Sequence, residues 1–258
     1  MKVAILCGGF GTRLREETEF KPKPMVEIGG RPILWHIMKG YANCGFQDFV
    51  LALGYKGDAI RDYFLHYEVR NRDFTVTLGN RDVEVHAGTH GEDGWRVTLA
   101  DTGPETLTGG RIKRLRPYIG GETFMATYGD GVADIDIKAL LAYHRSKGKL
   151  ATVTAVRPSS RFGELGIVDG IVSVFQEKPQ VQQGWINGGF FVFEPQALDM
   201  IDGDADTLEQ GLLMKLADQG QLAVYQHGGF WQCMDTYREM ELLNDMWRRG
   251  QAPWRCWQ

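Results

Sequence analysis

Apolar runs of strand length alternate with segments of helical period through the first third of the chain. "VAILC" at residues 3–7 predicts a buried strand, and "RPILWHIMKGYANCG" predicts a helix with Ile33, Leu34 and Ile37 on one face and Gly45 at its end. "FVLAL" predicts the next strand and "GDAIRDYFLHY" the next helix. This alternation is typical of βαβ units and of a parallel sheet.

The periodicity changes between about 68 and 110, where "FTVTL", "VEVH" and "RVTLA" alternate over short runs separated by Gly, Asn and Asp. We interpret this segment as a β-rich insertion. The earlier pattern resumes with "TFMATYGDG" and continues to the closing helix "TYREMELLNDMWRRG". The pattern therefore predicts a single mixed-sheet α/β domain over residues 1–258, with that insertion.

Composition supports a sizeable core and excludes several classes of partner. Of the 258 residues, 43% are hydrophobic, and the formal net charge is −4, so no global positive field attracts nucleic acid or an acidic membrane surface. The first apolar run is too short for a signal sequence, and no stretch reaches the roughly 18 apolar residues that a bilayer requires. We expect a cytoplasmic protein with neither a membrane nor a nucleic acid as partner.

Cysteine and histidine suggest no chemistry of their own. No histidine stands beside a Ser, Cys or Asp as in a triad, and we expect His36 and His144 on helix surfaces. The aromatic tail "APWRCWQ" covers either its own chain or a neighbouring subunit. The cysteines form no C-x-x-C pair and are expected to be reduced: Cys7, Cys44, Cys233 and Cys256.

The glycine loop "LCGGFGTRL" follows the first predicted strand directly. A Rossmann fingerprint would need a third glycine where Leu14 stands, and the Gly-Lys-Ser/Thr end of a P-loop is missing from the sequence. Two interpretations remain open. The glycines let the backbone approach a triphosphate while Arg13 binds its oxygens, or the segment is a tight turn followed by a surface arginine.

A lysine segment ten residues later favours the triphosphate. "KPKPM" places Lys21 and Lys23 among prolines, which stiffen the chain, so that a lysine is held over the same site with little loss of entropy. Together with Arg13, it would form a cationic clamp.

These two motifs resemble the signature of the sugar-phosphate nucleotidylyltransferases, and "KPKPMVEIGGRPILWHIMKGY" resembles in particular the glucose-1-phosphate cytidylyltransferases. The resemblance spans essentially the whole chain. It continues through "LALGYKGDAIRDYF", "VTLADTGPETLTGGRIKR", "YGDGVADIDI", "FQEKP", "INGGFFVFEP" and "GFWQCMDTYREM".

The resemblance implies an enzyme that joins CTP to α-D-glucose 1-phosphate, releases pyrophosphate and supplies CDP-glucose for surface polysaccharides such as O-antigen. It also implies a Rossmann-like, mainly parallel sheet flanked by helices, of the nucleotide-diphospho-sugar transferase type. Mg²⁺ is the implied cofactor and a homo-oligomer, a hexamer, the implied assembly. The alternatives are a thymidylyl- or uridylyltransferase and a non-catalytic regulatory subunit that binds a nucleotide sugar.

Two aspartates suit the metal that this chemistry needs. In-line attack brings two anions together, and Mg²⁺, which offsets their charge, takes carboxylate oxygens. Asp130 follows an apolar strand in "TYGDG", and Asp235 precedes the last helix in "WQCMDT". Spacing alone also allows a turn aspartate and a helix N-cap. Both residues match the metal aspartates of the family.

The resemblance also implies the remaining site residues. Catalysis falls to Arg13, Lys23 and Asp130. The sugar-phosphate positions are Tyr128, Gly163, Glu164, Glu177, Lys178, Asn187, Gly188 and Gly189. The nucleotide positions are Leu6, Cys7, Gly8, Gly9, Phe10, Gly11, Thr12, Arg13, Lys23, Thr106, Arg111 and Gly129.

Base selection rests on a physical hypothesis. Cytosine presents acceptors at O2 and N3, whereas uracil and thymine carry a donor at N3, so a side chain that only donates favours cytosine. "ETLTGGRIKR" supplies Arg111, which we expect to donate to that edge, and Thr106, which completes the hydrogen bonding. Lys113 and Arg114 are interpreted as a solvated helix face.

Overall fold

The computed structural model describes residues 1–11, 14–80, 82–88, 91–158, 164–168, 171–176 and 184–257. The strands are β1 Lys2–Leu6, β2 Glu27–Ile28, β3 Arg31–Pro32, β4 Asp48–Leu53, β5 Phe74–Thr77, β6 Asp82–Val85, β7 Arg96–Asp101, β8 Phe124–Tyr128, β9 Gly131–Ala133, β10 Ala151–Val156, β11 Glu164–Val168, β12 Ile171–Gln176, β13 Ile186–Phe193, β14 Leu222–His227 and β15 Trp231–Cys233.

The α-helices are α1 Arg15–Thr18, α2 Ile33–Asn43, α3 Gly57–Leu65, α4 Tyr67–Asn71, α5 Thr108–Arg114, α6 Arg116–Ile119, α7 Ile137–Lys147, α8 Met214–Asp218 and α9 Tyr237–Arg248. Short 3₁₀ helices cover Lys23–Met25 and Pro195–Met200, and a π-helix covers Leu208–Leu213. In the part of the chain that the structure describes, no helix has both the length and the hydropathy to span a bilayer.

A seven-stranded sheet in the order β14-β10-β13-β8-β1-β4-β7 forms the centre of the fold. Only β13 runs against its neighbours β8 and β10, and the remaining neighbours are parallel. The predicted mixed, mainly parallel sheet is therefore confirmed. Because β1, β4, β7 and β8 are parallel, their carboxyl ends lie at one edge of the sheet, where open α/β folds bind ligands.

The core lies on both faces of this sheet. Along β1, Val3 and Ile5 pack into one apolar cluster with α2, while Ala4 and Leu6 face a second cluster that includes Ile112 of α5. Alternate residues thus enter opposite layers, and burial on both faces explains why the strand is apolar throughout.

The segment predicted as a β-rich insertion divides into two parts. Among the strands that the structure describes, β5 and β6 pair only with each other, as a hairpin whose strand residues are all exposed, whereas β7 is the edge strand of the central sheet, parallel to β4. Both parts show the same short-range alternation of apolar and polar residues, although their burial differs. The pairing partner is a tertiary property that the alternation does not specify.

The expectation that His36 and His144 lie on helix surfaces is wrong, since each is 1% exposed. His36 Nε2 bonds Ile28 O at 2.8 Å, and its ring packs against Trp247 and Trp254. His144 bonds Thr152 and Glu194. Trp254 of the aromatic tail is 2% exposed and stacks on Phe230, so the tail covers its own chain.

Burial of His36 makes the stability of the fold depend on pH. Desolvation lowers the pKa of His36 from 6.5 to about 4, so the folded state binds this proton less tightly than the unfolded state. The contribution of His36 to the free energy of unfolding is therefore fully present above pH 6.5. It is lost as the pH falls towards 4, by about 3 kcal/mol for this group alone.

We expect His36→Gln, which can donate to Ile28 O but does not titrate, to remove this part of the pH dependence. Urea unfolding of both proteins at pH 7.5, 5.5 and 4.5 measures it. Equal losses of unfolding free energy in the two proteins would contradict the assignment.

Candidate active site

The glycine loop, residues 7–11, leaves β1 at the ligand-binding edge of the sheet. Cys7 N donates to Ala52 O at 3.0 Å, and Gly129 N donates to Leu6 O at 3.0 Å, so the start of the loop is fixed between the ends of β4 and β8. A Cβ at Gly129 would lie 2.8 Å from Leu6 O. A side chain cannot be placed there without shifting the backbone of the loop.

The side chain of Arg111 packs against this loop and hydrogen-bonds its backbone. Its side chain is buried, at 4% exposure, and its guanidinium fills the space beside Gly8 and Gly54, where a Cβ would come within 2.3 and 2.4 Å of it. Nη2 donates to Gly8 O and Pro104 O, both at 3.1 Å. Nη1 donates to Leu53 O at 3.1 Å and to Thr102 Oγ1 and Gly103 O at 2.7 Å.

The terminal N–H groups of Arg111 are thus already directed at protein oxygens. Donation to cytosine stays a prediction, and it requires that the base replace one of these acceptors. Nη1 has two hydrogens and three acceptors within reach, so one acceptor can leave without creating an unsatisfied donor.

Lys23 lies opposite the glycine loop at the start of a one-turn 3₁₀ helix, after Pro22. Its side chain is 11% exposed, and Nζ donates to Asp130 Oδ2 at 2.7 Å and to Asp235 Oδ1. Burial alone would lower the pKa of Lys23, but the charges and hydrogen bonds of the two carboxylates outweigh burial and raise it. The ammonium therefore stays charged at neutral pH.

The two aspartates meet because the strands beside them pair. β15 runs antiparallel to β9, and Met234 N donates to Asp130 O at 2.8 Å. Asp235 is not the helix N-cap that spacing allowed. Thr236 caps α9 in a capping box with Glu239, so the carboxylate of Asp235 is directed towards Lys23.

Two cavities adjoin at this cluster. One, of about 340 Å³, is lined by the glycine loop and the start of α5, and the other, of about 400 Å³, by β13, β15 and the π-helix. Both are lined by Thr108, Tyr128, Asp130 and Asp235. A ligand that fills both cavities must therefore pass the two carboxylates.

Tyr128 lines both cavities. Its hydroxyl donates to Glu209, and burial, reinforced by that carboxylate, raises its pKa, so it remains a donor at neutral pH. Gly189, with φ of 79°, lies so close that a Cβ would be 2.4 Å from the tyrosine ring. The two glycines of "INGGF" admit this ring, and they lie where the pairing of β13 with β10 shifts register, as in a β-bulge, between Phe191 opposite Val153 and Asn187 opposite Ala155. Gly188 O accepts from Trp231 Nε1 at 2.7 Å.

The structure brings most of the predicted site residues together. Thr12, Arg13, Gly163, Glu177 and Lys178 lie outside the described residues, and Glu164 is described only as the first residue of β11. Of the predicted residues, the first cavity is lined by Leu6, Cys7, Gly8, Gly9, Phe10, Gly11, Lys23, Thr106, Arg111, Tyr128, Gly129, Asp130 and Asp235. The second cavity is lined by Tyr128, Asp130, Asn187, Gly188, Gly189 and Asp235.

Sequence reasoning missed Thr108, Glu209 and Trp231, which also line the second cavity. Thr108 and Glu209 are hydrogen-bonded although 101 residues separate them in the chain. No spacing rule connects such a pair. A polar residue in the first turn of a helix, such as Glu209 in "TLEQ", is usually solvated.

The donor set at the junction fits a divalent cation. Asp130 and Asp235 supply hard carboxylate oxygens, and their charge exceeds that of Lys23 by one. Among the described residues, no group of three or more His, Cys, Asp or Glu side chains could hold a metal. A cation here would take its other ligands from water and substrate phosphates, as Mg²⁺ commonly does.

Comparison with known proteins agrees with this geometry. The Nucleotidyl transferase family profile matches residues 2–236. The glucose-1-phosphate cytidylyltransferases of Salmonella typhi and Salmonella typhimurium are each 52% identical to the chain over 100% of both sequences. The crystal structure of HddC from Yersinia pseudotuberculosis, 24% identical, superposes with a TM-score of 0.70 over 95% of this chain and 99% of that one.

HddC shares the fold, which is of the predicted nucleotide-diphospho-sugar transferase type. The family generally uses a divalent metal. The full-length identity and the family match lead to one conclusion: this chain is an enzyme of the nucleotidyl transferase family.

Proposed function

We propose that this enzyme transfers the cytidylyl group of CTP to α-D-glucose 1-phosphate, giving CDP-glucose and pyrophosphate. The observation that carries the reaction type is the junction of the two cavities, where Lys23 lies between Asp130 and Asp235. The choice of base and sugar is supported by the relatives, which are 52% identical over their full length and carry the name of that activity.

The shape of the site supports one orientation of the substrates. The glycine loop offers backbone N–H groups to phosphates, so CTP takes the first cavity. Glucose takes the second cavity, beside Tyr128 and Asn187. The α-phosphorus and the attacking sugar-phosphate oxygen then meet at Lys23. The roles of Arg13 on the triphosphate and of Glu177 and Lys178 on the sugar phosphate follow from the resemblance.

The reaction needs no base and no covalent intermediate. An oxygen of the sugar phosphate, already deprotonated near neutral pH, forms a bond to the α-phosphorus. The bond from that phosphorus to the bridging β-phosphate oxygen breaks, and pyrophosphate leaves with the electron pair. Two anions approach each other, so positioning and the charge of Lys23 contribute to the catalysis.

We propose Mg²⁺ as the divalent metal, held by Asp130 and Asp235. When bound, it would offset the charge of the phosphates that these carboxylates would otherwise repel. The lysine and the two carboxylates have different roles. Lys23 keeps a positive charge at the junction whether or not the metal is bound, whereas Asp130 and Asp235 bind the metal.

We also propose one domain over residues 1–258, a cytoplasmic location, and a homo-oligomer, a hexamer as the resemblance implies. The exposed hairpin β5–β6 supports the assembly. Phe74 pairs with Val85 and Val76 with Val83, so one face is apolar, and these side chains are 36–51% exposed. An isolated hairpin is marginally stable in water, and a second copy would cover this face.

Pyrophosphate release with CTP, UTP, dTTP and GTP against glucose 1-phosphate tests the function. We expect CTP to be preferred by a factor of about 10 or more in kcat/KM, the discrimination of one good polar contact. A preference for dTTP or UTP would replace the base assignment, and no turnover with any nucleotide would leave only the non-catalytic alternative. Arg111→Ala should reduce the CTP/UTP ratio, whereas a purely structural arginine would lower both rates equally.

A further inference from the structure

Glu209 lies on the wall of the second cavity, away from the glycine loop, and belongs to none of the motifs that predicted the site. It is the second residue of the π-helix Leu208–Leu213 and is exposed to the cleft. Short π-helical segments occur frequently at functional sites.

Two separate elements hold the Glu209 carboxylate. Tyr128, at the end of β8, donates its hydroxyl to Oε1, and Thr108, at the start of α5, donates to Oε2 at 3.1 Å. The Thr108 hydroxyl also accepts from Leu208 N at 2.7 Å, which ties the first turn of the π-helix to α5. The carboxylate is thus oriented before any ligand binds.

Close backbone packing keeps these elements in register. Gly109 N donates to Asp206 O at 2.9 Å, and a Cβ on Gly109 would lie 2.8 Å from that oxygen. A side chain at this position would push α5 away from the π-helix. Gly110 is packed as closely, since a Cβ on it would lie 2.6 Å from Asp204 Cα.

The charge of Glu209 restricts what it can bind. A carboxylate repels phosphate, so the phosphate of a substrate stays away from Glu209, at the junction with the first cavity, where the ammonium of Lys23 lies. Each Glu209 oxygen receives one hydroxyl in the structure, and an ionised carboxylate has about four lone-pair sites, so it can accept further hydrogen bonds. Sugar hydroxyls are the donors that a hexose 1-phosphate brings into this cavity.

We propose that Glu209 is a sugar-recognition residue, whose carboxylate, oriented by Tyr128 and Thr108, accepts a hydrogen bond from a hydroxyl of the hexose. The proposal rests on the proposed function only for the identity of the sugar. It adds a specificity-determining residue to the wall of the second cavity that faces away from the triphosphate.

Calorimetric titration of CDP-glucose and of CDP separates this role from a structural one. We expect Glu209→Ala to weaken binding of CDP-glucose about tenfold or more, the strength of a hydrogen bond to a charged group, and to leave binding of CDP within about twofold. Glu209→Gln keeps an acceptor without the charge and should lie between the wild type and Glu209→Ala. Glu241→Gln, an exposed carboxylate of α9 that lines neither cavity, is the matched control.

Equal weakening of CDP and CDP-glucose would show that Glu209 only supports the fold of the site, and unchanged binding of both would remove it from the site. Either result overturns the proposal. A failure of the proposed function appears differently, because the wild-type enzyme would then bind CDP-glucose no better than CDP. In that case the same variants are compared with the nucleotide sugar that the wild type does bind.

Deoxyglucose 1-phosphates then identify the hydroxyl. For the analogue that lacks the bound hydroxyl, wild type and Glu209→Ala should have the same KM, whereas they should differ for the other analogues. A difference of the same size for every analogue would contradict recognition of a single hydroxyl.

Discussion

Asp130→Asn is expected to lower kcat/KM by about 1,000-fold, equivalent to several kcal/mol of transition-state stabilisation. Asn has nearly the shape of Asp, so the contact of Met234 N with the backbone of residue 130 is retained. The substitution removes one of the two negative charges at the junction and half of the acidic donor set for a divalent cation. It also removes an ionic partner of Lys23.

Steady-state pyrophosphate release at saturating Mg²⁺ measures this effect, and calorimetric titration with Mn²⁺ measures metal binding in the same protein. We expect both to fall. Asp134→Asn is the matched control, four residues further along, where the carboxylate pairs with His227 at 2.8 Å and lines neither cavity. Turnover near the wild-type level in Asp130→Asn would remove this residue from the proposed metal site.

Lys23→Met is expected to lower turnover by a factor of about 100 to 1,000, the range found when one preorganised charge is removed from a transition state. Methionine keeps much of the stem but has no charge, so Asp130 and Asp235 then face each other without their shared cation. Mn²⁺ binding in the absence of nucleotide should therefore be retained or tightened. This is the opposite of the result expected for Asp130→Asn.

The pair of variants separates two roles that turnover alone cannot distinguish. Lys21→Met provides the control on the same segment, because the Lys21 side chain is 33% exposed and pairs with Glu17 at 3.7 Å, away from the two aspartates. Equal losses for Lys21→Met and Lys23→Met would show that the segment, and not the ammonium at the junction, is responsible. Loss of Mn²⁺ binding in Lys23→Met would show that the lysine holds the carboxylates in place for the metal.

Local patterns were sufficient for the parts of the site that lie on short segments. The glycine loop, "KPKPM" and "TYGDG" each combine a backbone requirement with a charged side chain within a few residues, so a role for each could be predicted from the sequence. Asp235 is an intermediate case. Spacing suggested an N-cap, but the next residue, Thr236, serves that purpose through its capping box.

Contacts between distant segments could not be predicted. Arg111 has the appearance of an exposed arginine on a helix, yet it is buried beneath Gly8, and that glycine was interpreted only as a phosphate contact. Glu209 resembles a solvated residue at the start of a helix. His36 was expected on the surface of its helix, yet it is buried, and the tryptophans that bury it come from α9 and the tail.

By itself, the sequence determined the alternation of strands and helices, the mainly parallel sheet, and a glycine loop directly after the first strand, because these follow from periodicity and from residue types a few positions apart. Only the tertiary structure decided that Lys23 lies between Asp130 and Asp235, that Arg111 supports the loop, and that Glu209 faces the second cavity. Each of these joins segments about 100 residues or more apart, and such contacts depend on strand order and packing, which no local pattern encodes.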